Sequence, residues 1–87
     1  MSAEPPYRLT DDAAHVIAER RILEEWVARA LADPIRCEGD RHDRTLRHVL
    51  APIPENDGRV LRVVYNDAVR PWLVVTAYFD RKERGRL

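Results

Sequence analysis

The feature that most constrains this chain is a change of period at Pro34. Before it, from Asp11 to about Asp33, the sequence is rich in Ala, Glu, Arg and Leu and holds neither Gly nor Pro. That is the composition of helix. After it, apolar and polar residues alternate with the period of two that strands require. Helices first and strands after predict an α+β domain: two N-terminal helices packed on a four-stranded antiparallel sheet.

The helical half carries its own punctuation. Thr10 is a good N-cap, and Asp11 and Asp12 behind it suit the positive end of the helix dipole. Pro34 stops the run. The apolar stripe shows two registers. Ala13, Ala14, Ile17 and Ala18 share one face; Leu23, Val27, Ala30 and Leu31 share another, with Ile22 and Trp26 beside them. Arg21 falls inside the first stripe, so a break is expected near Arg20 to Leu23. No Gly marks that break, and one helix of about six turns is the alternative reading.

Ile35–Glu38, Thr45–Ile53, Arg59–Asn66 and Pro71–Phe79 read as strands, and Tyr7–Leu9 as a short edge strand. Pro52 and Pro54 mark the second of the four as an edge, or as leaving the sheet. Glu55-Asn56-Asp57-Gly58 is a hairpin turn. In the last strand Leu73, Val75, Ala77 and Phe79 are expected to face the helices. Trp72, Val74, Thr76 and Tyr78 are then expected on the open face, with Arg62 of the preceding strand. Residues 1–8 form a lead-in, 9–80 the single domain, and 81–87 a charged tail expected to fray.

Charge narrows the function classes. Among 87 residues, 15 Lys+Arg balance 15 Asp+Glu, and Lys82 is the only lysine. A polybasic mode of nucleic-acid binding is therefore excluded as the main theme. The charge is uneven, however: residues 1–33 carry an acidic excess of three and residues 34–87 a basic excess of three. A basic sheet face is the expectation. Cys37 is the only cysteine, so no internal disulfide forms. Cys37, His42 and His48, with Asp40 and Asp43, lack the tight spacing of zinc ligands. No metal or cofactor is expected. No apolar run of about 18 residues exists, and the N-terminus has no apolar core of a signal peptide; a cytoplasmic protein with no membrane association is expected.

Leu9 to Ala13, Glu19 to Glu25 and Val27 to Pro34 (VARALADP) resemble the opening of a family of small bacterial proteins. Arg62 to Tyr65 (RVVY) and Val74 to Tyr78 (VVTAY) resemble its ending. The family is catalogued as domain of unknown function 4258, grouped with RelE-like and BrnT-like toxins. The resemblance spans about residues 9 to 80. It implies a RelE-like or barnase-like fold and metal-independent RNA cleavage. Arg20 matches the family's second arginine, and Thr76 and Tyr78 its last strand. The family histidine falls on Asp12, the first arginine on Val16 and the glycine on Arg21; His15 lies three residues off register.

RNA cleavage without a metal needs a base for the 2′-hydroxyl, an acid for the leaving 5′-oxygen, and cations on the phosphorane. The candidate catalytic residues are Arg20, His48 and Tyr78. The candidate substrate-binding residues are Arg47, Arg62, Thr76 and Arg44, since guanidinium forks match phosphate oxygens. Each also has a structural reading: His48 between Leu46 and Leu50 as a strand-surface residue, Tyr78 as packing, Arg20 paired with Glu24 across a turn. The implied partners are RNA and an antitoxin covering the open face. The competing readings are a non-catalytic relative that binds protein or nucleic acid, and a dimerising accessory domain whose apolar face makes a homodimer.

Overall fold

A computed structural model describes residues 7–87. The elements run β1 (Tyr7–Leu9), α1 (Asp11–Glu19), α2 (Glu24–Ala32), β2 (Arg36–Gly39), β3 (Leu46–Ile53), β4 (Arg59–Asn66) and β5 (Trp72–Phe79). Short 3₁₀ turns follow β3 (Pro54–Asn56) and β5 (Arg81–Glu83). The α+β class and the two helices are as expected. The sheet differs in detail: it has five strands in the order β1-β5-β4-β3-β2, and β1 lies parallel to β5. The short N-terminal strand thus joins the sheet. Tyr7 and Leu9 pack against the core, which anchors a segment too short to hold by backbone pairing alone.

The helical half breaks where Arg21 interrupts the stripe. Thr10 Oγ1 accepts the Ala13 N–H at 3.0 Å and starts α1. At its other end the Arg21 N–H reaches Ala18 O at 3.1 Å, and the Ile22 N–H reaches Ile17 O at 3.0 Å. This pair of bonds is a Schellman motif, and Ile17 and Ile22 share the core as its hydrophobic contact. The left-handed position in such a motif favours glycine; here it is Arg21, with φ 57°. A non-glycine residue at the stop explains why composition gave no punctuation there.

Both helices cover one sheet face. Ala13, Ile17, Ile22, Trp26, Val27, Ala30 and Leu31 pack on Val49, Ala51, Ile53, Leu61, Val63, Tyr65, Val74 and Ala77. The expected alternation holds in β4. In β5 it fails halfway. A bulge shifts the register between Val64 and Tyr65, so that Val64 faces Thr76 but Tyr65 faces Val74. Val75 is the extra residue, and inward and outward exchange on either side of it. Thr76 and Tyr78 stay on the face away from the helices, as expected. Val74 and Trp72, expected there too, instead pack against the core, where Trp72 lies 5.0 Å from the Tyr65 ring.

β3 is not an edge strand, because β2 pairs with it through Leu50. Pro52 lies beyond that pairing, so the ladder loses no bond to its missing N–H. The start of the C-terminal segment is hydrogen-bonded to the sheet. The Asp80 N–H reaches Val60 O at 2.8 Å, and Asp80 Oδ1 accepts the Lys82 N–H at 3.0 Å to cap the last 3₁₀ turn. Glu83 on that turn pairs with Arg36 of β2. Arg36, Leu50, Arg62 and Tyr78 form one row across four strands. The turn therefore crosses the far face of the sheet as a strap.

Candidate functional site

Strand register brings the polar residues of this second face together. In one row Glu38 sits opposite His48, followed by Val64 and Thr76. In the next row Arg62 sits between Leu50 and Tyr78. The strap borders a half-open polar cavity of about 420 Å³ above them, lined by Glu38, Asp40, His48, Arg62, Tyr78 and Lys82 among others.

Arg62 is the centre of this cluster and is only 9% exposed. Its Nη1 donates to Glu38 Oε1 at 2.7 Å, and its Nε to Asp80 Oδ2 at 2.9 Å. Burial works against its charge, and the bonds to Glu38 and Asp80 outweigh burial, so its pKa lies above the ordinary arginine value. Glu38 answers in the opposite sense: the Arg62 bond holds its carboxyl below the usual carboxylate range.

His48 is held at both ring nitrogens. Nε2 lies 2.7 Å from Asp40 Oδ1, and Nδ1 lies 2.8 Å from Arg62 Nη1. A guanidinium only donates, so Nδ1 is the acceptor and the ring proton sits on Nε2, pointing at Asp40. Asp40 is itself fixed: its Oδ2 accepts the backbone N–H groups of His42 and Asp43, each at 3.0 Å. The bond from His48, with those backbone bonds, holds the Asp40 carboxyl down at about 2. Asp40, His48, Arg62 and Asp80 thus form one relay of hydrogen bonds across the sheet.

Of the sequence-selected residues, the structure brings His48, Arg62 and Tyr78 into the cavity. Thr76 shares the sheet face, in the His48 row. The other three lie elsewhere. Arg20 Nη1 donates to Ala77 O at 2.8 Å, beyond the short β1 ladder, and satisfies a carbonyl at the margin of β5 rather than pairing with Glu24. Arg47 turns to the opposite face, where it meets Cys37 Sγ at 3.6 Å and Asp67 at 3.7 Å. Arg44 is exposed in the β2–β3 loop. Cys37 and His48 occupy alternate sheet faces, being partnered with Val49 and Glu38 respectively.

Sequence reasoning missed Glu38, Asp40 and Asp80 as members of the site. Their signal is in the pairing and not in the local pattern. Glu38 meets His48 only once the β2–β3 register is fixed, and Asp80 meets Arg62 only once the strap is laid down. These carboxylates also correct the expectation of a basic face. Arg41, Arg62 and Lys82 line the cavity against Glu38, Asp40, Asp80 and Glu83, so cations and anions nearly cancel.

Over residues 9–79 the chain matches the family model described as Domain of unknown function (DUF4258). The chain belongs to the DUF4258 family. No match was found among curated proteins or solved structures. The matched span of this DUF4258 domain runs from the last residue of β1 to the last residue of β5, so it contains β2 to β5, both helices and the cavity's His48, Arg62 and Tyr78. The strap lies just beyond it. No helix among the described residues is long and apolar enough to cross a membrane.

Proposed function

We propose that the strapped cavity is the active site of a metal-independent, RelE-like ribonuclease, with RNA as substrate and an antitoxin as its cellular partner. The observation that carries this reading is the His48 ring, held between Asp40 and Arg62 with Tyr78 in the same cavity. The three roles of the chemistry have candidates within it. An RNA phosphate entering the cavity competes with His48 Nδ1 for the Arg62 Nη1 proton. Nδ1 then accepts the 2′-hydroxyl proton, and Asp40 stabilises the imidazolium through Nε2–H, as an oriented carboxylate does for a histidine base. Arg62 faces the phosphorane charge, and the Tyr78 hydroxyl donates to the leaving 5′-oxygen. The products are a 2′,3′-cyclic phosphate and a 5′-hydroxyl, so protons balance without a co-reactant.

One observation favours a second reading, a non-catalytic binding module of the same fold. Arg62 already has carboxylate partners on two sides, at 2.7 and 2.9 Å. Induced expression separates the two. The catalytic reading expects growth arrest with RNA breakdown, lost in His48→Ala. Normal growth with intact RNA, or arrest that persists in His48→Ala, overturns it in favour of the binding module.

A further inference from the structure

A second cavity lies on the other side of Asp80. It measures about 230 Å³ and is lined by Arg59, Val60, Phe79, Asp80, Arg81 and Arg84. We propose that this cavity binds a mononucleotide, with the phosphate on the arginine rim and the base against Phe79.

The charge balance at the rim is unlike that of the His48 cavity. Among the described residues Asp80 is the one carboxylate in the lining, and its charge is taken up elsewhere: Oδ2 is held by Arg62 and Oδ1 by the Lys82 N–H. Arg84 is matched by Asp57, whose carbonyl and Oδ2 accept from Nη2 at 2.9 and 3.1 Å. Arg59 and Arg81, both exposed, leave an excess of two positive charges at the mouth. Guanidinium groups that line one opening repel each other until an anion arrives, and a phosphate matches their forks.

The floor calls for an apolar body behind that anion. Val60 is 2% exposed. Phe79 is half-buried and packs edge-on against Trp26, with ring centroids 6.1 Å apart. A braced ring beside arginines is a stacking platform for a base. The cavity is half-open and below the ~300 Å³ at which drug-sized pockets begin, so it takes the base inside and leaves the ribose and phosphate at the arginine rim. One base with one phosphate suits it; an oligonucleotide does not. The walls are tied before any ligand binds, because the Arg84–Asp57 contacts join the C-terminal segment to the β3–β4 turn. That turn is set by Asp57 and Gly58, both in the left-handed region. The site does not depend on cleavage at His48.

The test is a titration of the ¹⁵N-labelled full chain with adenosine 5′-monophosphate, read by amide chemical shifts. The proposal expects saturable shifts at Val60, Phe79 and the Arg81–Arg84 segment, with a dissociation constant on the order of 1 mM for so small and exposed a site. Adenosine and inorganic phosphate should each bind at least about tenfold more weakly, since each lacks half of the contact. The exposed double substitution Arg59→Ala/Arg81→Ala should weaken binding by about tenfold or more with an unchanged circular-dichroism spectrum. Phe79→Leu should weaken the nucleotide but not inorganic phosphate, and His48→Ala should leave the titration unaltered. No saturable shifts, shifts confined to the His48 cavity, or undiminished binding in the arginine double variant would overturn the proposal. So would a phosphoserine peptide that binds as tightly as the nucleotide and is insensitive to Phe79→Leu.

Discussion

The two faces of the sheet solve different problems with the same strands. The helix-covered face buries apolar side chains from both helices and four of the five strands, and its stability is non-directional. The strapped face lays an ion network over Leu50, Val60 and Val64, which are all at most 5% exposed. The contacts of that network depend on direction and on charge. The difference teaches where evolution has room to place chemistry. A face held by hydrophobic burial carries the fold, which lets the other face keep costly buried charges in a fixed arrangement.

Substitutions on the two faces should therefore fail in different ways. Leu61→Ala, on the covered face and fully buried, should cost about 3 kcal/mol in chemical denaturation and leave a cost that salt and pH barely change. Arg62→Ala should cost somewhat less at neutral pH, about 2 kcal/mol, mainly because it leaves the largely buried Asp80 without its guanidinium; the half-exposed Glu38 keeps Arg36 as a partner. Arg62→Met should cost less than Arg62→Ala, since it keeps the packing of the stem. The Arg62→Ala penalty should shrink on acidification. Glu38 has a lowered folded-state pKa, so its contribution is present above its unfolded value and is lost as pH falls through the folded one. An equal, pH-independent loss for Leu61→Ala and Arg62→Ala would erase the distinction between the faces.

Asp40 sharpens the comparison further. Its carboxyl titrates near 2 in the fold against 3.8 ordinarily, so the unfolded chain binds more protons between those values. Stability should rise with pH across that window and be lost as pH falls through it. Asp40→Asn should flatten this part of the curve, as followed by the urea midpoint from pH 2 to 5. The smallest effect belongs to neither face. Arg21→Gly should stabilise the protein by up to about 1 kcal/mol, by relieving the left-handed backbone at the end of α1.

The covered face was legible in the sequence because burial writes itself as period. The strands of the sheet fell within one residue of their expected limits, and the helical break was visible in the misplaced Arg21. What escaped was non-local. The parallel β1–β5 pairing and the bulge at Val75 leave no mark on alternation in one segment. The strapped face was half legible. His48, Arg62 and Tyr78 could be chosen as residue types suited to the chemistry. Their carboxylate partners could not, since Glu38, Asp40 and Asp80 reach them only through register and through the C-terminal strap. Arg47 shows the same limit from the other side, as one step of pleat carried it to the opposite face.

The central claim is that the strapped face cleaves RNA with its own side chains. End-group analysis of a single-stranded RNA, incubated with purified protein in excess chelator, tests it most directly. The account predicts 2′,3′-cyclic phosphate and 5′-hydroxyl ends. These should be lost in His48→Ala and when the nucleotide at the cleaved bond is 2′-deoxy, and reduced in Tyr78→Phe. Intact RNA, or the same ends formed at an undiminished rate by His48→Ala, would contradict it.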